Sequence, residues 1–120
     1  MKTYRDLFVW QKSMDLVILV YEKTKQFPKE EIYNLTSQIK RSVVSVPSNI
    51  AEGYGRNSTG DYIRFLQIAC GSLYELQTQL EISLRLEYLS AENYDKLTSI
   101  SIEIEKMTSS LISKVKSSQK

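Results

Sequence analysis

Apolar residues return at every third or fourth position through four long stretches of this chain, and little interrupts them. Its 120 residues include only two prolines and four glycines. These are the residues that end helices and turn the backbone, so a chain this poor in them has few places to reverse direction. A small number of long helices meets that limit, and many short strands do not. Tyr62, Phe65, Leu66, Ala69, Leu73, Leu76, Leu80 and Leu84 follow the helical repeat and fall on one face. Leu97, Ile100, Ile104, Met107, Leu111 and Val115 do the same later in the chain, and Ile32, Leu35, Ile39, Val43, Val46 and Ile50 earlier.

The joints are marked by their own chemistry. "FPKEE" (27–31) combines proline with acids suited to the positive first turn of a helix. "GYGRNSTGD" (53–61) is a glycine-rich break in which Ser58, three residues before Asp61, suits an N-cap. In "EYLSAEN" (87–93), Ser90 suits the N-cap and Glu92 the first turn. The predicted helices span roughly 6–26, 30–54, 59–87 and 91–116, in one domain covering residues 1–120. Long helices with short joints predict an all-α fold, an antiparallel up-down-up-down four-helix bundle.

Pro47 falls inside the second helix, where it deletes the bond to the Val43 carbonyl. The apolar face runs across it in phase, through Val43, Val46 and Ile50. That predicts a kinked but continuous helix, ending at Gly53 or Gly55 in the left-handed conformation that glycine tolerates. "GYGR" follows a helix rather than a strand, so it is not a phosphate-binding loop.

In the first helix, Met14 and Leu16 to Tyr21 leave almost no polar face over two turns. A helix apolar all round wants burial all round. The surplus, with Val43, Val44 and Val46 and with Tyr74 and Ile82, points to a homo-oligomer.

Reactive chemistry is sparse. There is no histidine, and Cys70 is the one cysteine. Cys-His and Ser-His nucleophiles, zinc sites and Glu-x-x-His di-metal sites are therefore absent. No catalytic residue, metal or cofactor is expected. Cys70, in "IACGS", reads as a packing residue, with Gly71 and Ser72 small enough to admit another helix. If the second and third helices form an antiparallel hairpin, positions summing to about 115 face each other. That pairs Arg41 with Glu75 and Gln38 with Gln79 as structural ties. Glu52 and Arg56 are four apart in the favourable order for an ion pair within one helix.

The net charge is only +2, and the excess is uneven: residues 1–29 carry six Lys/Arg against three acids, residues 57–89 two against four. Lys114, Lys116 and Lys120 form a smaller basic tail. "MKTYRDLFVWQKS" lacks the apolar run of a signal peptide. "LVILVY" (16–21) is far short of the roughly 20 residues needed to cross a bilayer. The expectation is a soluble, cytoplasmic protein with no membrane contact.

Much of the chain, from Leu7 to about Leu111, resembles the 23S rRNA-intervening-sequence proteins. The marks are Val9-Trp10-Gln11; Phe27-Pro28 with Glu31 and Tyr33-Asn34-Leu35; Gln38 with Arg41-Ser42; Ser48-Asn49-Ile50-Ala51-Glu52-Gly53 with Gly55-Arg56; and Phe65-Leu66 running to Gly71-Ser72 and Glu75. The resemblance implies a small bacterial four-helix-bundle protein. The chain is similar as well to the accessory variability proteins of diversity-generating retroelements. These imply a five-fold barrel, hence a pentamer, that binds nucleic acid and a reverse transcriptase. Those proteins are strongly basic, and this chain is not.

Two functions follow as expectations. One is a non-enzymatic oligomer that associates with RNA or DNA, for which Lys12, Lys40, Arg41, Arg56 and Arg64 are the candidate contacts. Lys40 and Arg41 diverge by about 100° around a helix. If Arg41 is tied to Glu75, Lys40 is the freer of the two. The other is a scaffold that docks a partner protein through the apolar surface of the first two helices. Salt separates them, because phosphate contacts weaken steeply as counterions compete and apolar docking does not.

Overall fold

The computed structural model describes residues 3–118; Lys120 of the basic tail lies outside them. Four helices carry the fold: α1 (Phe8–Lys23), α2 (Leu35–Tyr54), α3 (Thr59–Arg85) and α4 (Ala91–Ser117). Short 3-10 turns at Tyr4–Asp6 and Lys29–Glu31 precede α1 and α2. Each helix packs on its chain neighbours, and α1 closes the ring on α4. Cross-helix pairs such as Ser45 with Ser72, Tyr74 with Glu105 and Lys12 with Glu103 fix who faces whom. The body is elongated, 50 × 23 × 20 Å.

The core is the set of apolar stripes turned inward. Leu16 and Val20 of α1, Ile39 to Ile50 of α2, Leu66 to Leu80 of α3, and Leu97 and Ile104 of α4 supply its fully buried side chains. Burying a Leu, Ile or Val side chain is worth roughly 1.5–3 kcal/mol. This repeated burial holds the four helices in register. Val43 and Val46 are fully buried, so of the three α2 valines read as partner surface only Val44 is exposed. The reason is phase: Val43 and Val46 share the inward face with Ile39 and Ile50, and Val44 is turned about 100° away.

Three local features differ from the sequence reading. First, α2 begins at Leu35 rather than near residue 30, leaving Ile32 half exposed in the joint. Glu31 stays outside the helix, where its carboxylate accepts the Leu35 N–H at 3.3 Å and the Tyr88 hydroxyl at 2.9 Å. An acid that caps from outside cannot also be a helical residue of the first turn. Second, α1 ends at Lys23, where Thr24 turns its hydroxyl back to the Val20 carbonyl.

Third, no glycine among the described residues takes a positive φ. Helix α2 runs without a break through Pro47 to Tyr54. Gly55 then sits in the right-handed region, and the Arg56 N–H bonds to the Gly53 carbonyl in a 3-10 closure. Gly53 is needed for closeness instead. A Cβ there would lie 2.8 Å from the Cβ of Phe65 and 3.2 Å from the Tyr62 carbonyl oxygen. Gly71, by contrast, faces open space. Its small neighbour Ser72 is the one in contact, with its hydroxyl 2.8 Å from that of Ser45.

Candidate functional site

The five candidate cations do not form one patch. Arg56 and Arg64 meet where α2 turns into α3: both guanidinium groups lie over the Phe65 ring, 4.7 and 4.8 Å from its centroid. Arg56 also pairs with Glu52 at 2.9 Å, as the four-residue spacing predicts, and Arg64 approaches Asp61 at 3.7 Å. All four charged groups remain largely in solvent, where such pairs contribute little to stability. Lys12 is elsewhere, bridging α1 to α4 by pairing with Glu103 at 3.0 Å. Lys40 and Arg41 lie near the start of α2, about 24 Å from Arg56 along the helix axis.

The expected ties of Arg41 and Gln38 are not formed. Arg41 and Glu75 are both exposed and make no ion pair among the described residues. Lys40, taken as the freer cation, rests its ammonium 4.7 Å from the centre of the Tyr21 ring. Gln79 is buried, but its partner is Ser42, whose hydroxyl lies 2.9 Å from Gln79 Oε1, while Gln38 is exposed. Near the joint Gly53 faces Tyr62, as a sum of about 115 requires; farther out the partners fall later in α3. Helical side chains lean toward their own N-terminus. Along an antiparallel pair both leans therefore displace contacts toward higher residue numbers.

Arg5 was missed by the sequence reading. It lies over both Tyr4 and Trp10, 5.5 Å from each ring, and those two rings meet edge to face at 5.1 Å. Tyr4 also lines a polar depression with Ser48, Glu52, Gly55 and Arg56. This places the Tyr4–Arg5–Trp10 cluster beside the Arg56 end of α2. The 3-10 turn that delivers Arg5 has no periodic signal; the cap of Thr3 on Arg5 N–H, at 3.1 Å, sets it.

An apolar groove follows the seam between α1 and α2. Tyr4, Trp10, Met14, Val17, Val44 and Pro47 line it. Ile18 is 59% exposed, and Met14, Tyr21 and Val44 are each nearly 40% exposed. Ile68, Tyr74, Ile82 and Ile102 are exposed on the α3 and α4 side.

Burial, followed by the nearby Glu105 carboxylate, pushes the Cys70 thiol above its ordinary value, so it is held protonated. Tyr74 and Tyr88 are raised by donating to Glu105 and Glu31, and Tyr62 by burial. Among the described residues no group of three or more His, Cys, Asp or Glu could hold a metal ion. Nor is any of their helices long and apolar enough to cross a membrane.

The model of one protein family, described as 23S rRNA-intervening sequence protein, matches residues 5–110. The chain belongs to that family. A solved structure agrees: a protein of unknown function from the S23 ribosomal protein family of Bacteroides thetaiotaomicron. It is 30% identical, covers 87% of this chain and 97% of its own, and superposes with a TM-score of 0.81. No curated protein matches significantly.

The residues that carry this intervening-sequence resemblance mostly serve the joints of the bundle. Gln11 donates its side-chain amide to the Arg5 carbonyl at 2.8 Å, fastening the first 3-10 turn to α1. Phe27 is buried against Tyr88, and Glu31 caps α2. Asn49 donates to the Ser45 carbonyl and hydroxyl at 2.8 and 2.9 Å, one turn back and across Pro47. Ser42 reaches Gln79, and Gly53 lets α3 approach. Within this chain many of these marks join the bundle, while others, Arg41, Arg56 and Glu75 among them, face solvent.

Proposed function

We propose that this protein is a non-enzymatic homo-oligomer whose chains associate through the α1–α2 groove. The observation that carries the reading is the row Met14, Ile18 and Tyr21, one helical turn apart along α1 and all exposed. The single chain leaves that row uncovered, and burying such a row against another copy removes apolar surface from water. The sequence similarity to retroelement accessory proteins supports a pentamer.

Association with RNA or DNA is a second reading, favoured by Arg5, Arg56 and Arg64 lying near one end of the bundle. A ring would repeat that end several times and multiply a small charge per chain. Four of the five candidate cations are already engaged by a carboxylate or a ring, which sets self-association first. The alternative is a scaffold in which the same groove takes a different protein.

Light scattering on the full chain tests the assembly. The expected mass is several times 13.9 kDa, and Ile18→Glu moves it toward a single chain. A wild type that stays at one chain's mass across concentrations overturns the assembly reading. Labelled RNA titrated into the same samples should bind tightly at low salt and lose affinity steeply as salt rises. Arg56→Glu/Arg64→Glu should weaken that binding, and absence of binding at low salt rejects the second reading.

A further inference from the structure

Helix α4 extends to Ser117 while α1 begins only at Phe8. Beside the start of α1 a groove of about 470 Å³ opens against the second half of α4. This is within the size range of small-ligand sites, which are mostly apolar with a few placed polar groups. Leu7 and Val9 form one wall and Met107 and Leu111 the other, with apolar surface predominating. Lys106 and Lys114 stand on its rim, exposed and without an ion pair among the described residues. Eight residues apart, they are separated by about 12 Å along the helix. Asp6, the acid at the groove's other edge, accepts the Thr3 N–H at 3.2 Å and so is occupied in capping the first turn.

We propose that this groove binds a small amphiphilic anion, with a linear apolar chain along Leu7, Val9, Met107 and Leu111 and an acidic head at Lys106 or Lys114. Two chemical requirements meet there: an apolar surface to lie on, and two cations without an ion pair among the described residues set against the single carboxylate of Asp6. The rise of about 12 Å between the two rim lysines matches an acyl chain of medium length. The site is separate from the α1–α2 seam and depends on neither assembly nor nucleic acid.

The test is titration of full-length protein with 11-(dansylamino)undecanoic acid, followed by dansyl emission. The expected result is saturable binding of one probe per chain with a blue-shifted emission. Lys106→Glu/Lys114→Glu should weaken it about tenfold or more, the equivalent of roughly 1.4 kcal/mol. Leu111→Trp narrows the groove without touching charge and should weaken it as well. The exposed lysines leave the fold unchanged, which far-ultraviolet circular dichroism verifies. Absence of saturable binding overturns the proposal. So does wild-type affinity in the double lysine variant, and so does wild-type affinity in Leu111→Trp.

Discussion

Two glycines in similar helical settings have opposite roles, and atomic distances decide which. Alanine is favoured over glycine inside a helix by about 1 kcal/mol, so Gly71→Ala, where an added Cβ meets nothing within 4 Å, should stabilise by about that amount. At Gly53 the same gain is outweighed, because the new carbon would lie 2.8 Å from the Phe65 Cβ and close to the Tyr62 backbone. Backbone and Cβ atoms cannot swing aside, and overpacking of this kind costs typically 1–3 kcal/mol. Urea unfolding of the two variants should show midpoints moving in opposite directions. A loss of stability in Gly71→Ala, or a gain in Gly53→Ala, would contradict the packing described for the α2–α3 joint. The sequence marked Gly71 as small and Gly53 as a helix end, and only the approach of α3 shows which of the two is needed for its size.

Among the elements, the end of α3 is closed by a Schellman arrangement: the Tyr88 N–H bonds to the Ser83 carbonyl and the Glu87 N–H to that of Leu84. The motif needs its next-to-last residue in the left-handed region, and Glu87 takes it at φ 64°. For a residue with a Cβ that conformation costs roughly 1–2 kcal/mol. Glycine avoids the clash and loses part of the gain to its freer unfolded chain. Glu87→Gly should therefore raise stability by about 0.5–1 kcal/mol, read as a higher thermal midpoint; an unchanged or lower midpoint rejects the strain. Helix existence was legible from the sequence because the apolar repeat is long and regular in α2, α3 and α4. The caps at Ser58 and Ser90 were legible too, and both hydroxyls accept an N–H three residues on. The start of α2 was not, because a 3-10 turn with acids looks like a first helical turn until Tyr88, 57 residues on, is seen to hold Glu31. The Arg41–Glu75 tie failed for a related reason: pairing by residue sum ignores the lean of side chains, and charges at the surface have many alternatives to one partner.

At the scale of the whole molecule, three tyrosines tie its stability to alkaline pH. Tyr88 and Tyr74 are raised chiefly by donating to Glu31 and Glu105, and Tyr62 chiefly by burial. A raised pKa means that the folded state favours the neutral phenol more than the unfolded chain does. Their contribution is fully present below the unfolded value near 10 and is lost as pH rises through the folded values. The urea midpoint should therefore be insensitive to these groups at neutral pH and fall above about pH 10. Tyr88→Phe should flatten part of that fall; a decline equally steep in Tyr88→Phe removes Tyr88 from the account. The ring of helices has one more consequence, for the order in which the protein is made. Three of its four seams join helices adjacent in the chain, and each can form soon after its second helix is synthesised. The fourth, α1 on α4, joins the first helix to the last. Until α4 is complete, the side of α1 carrying Lys12 has no Glu103 to meet, and the nascent chain holds one edge of its bundle open.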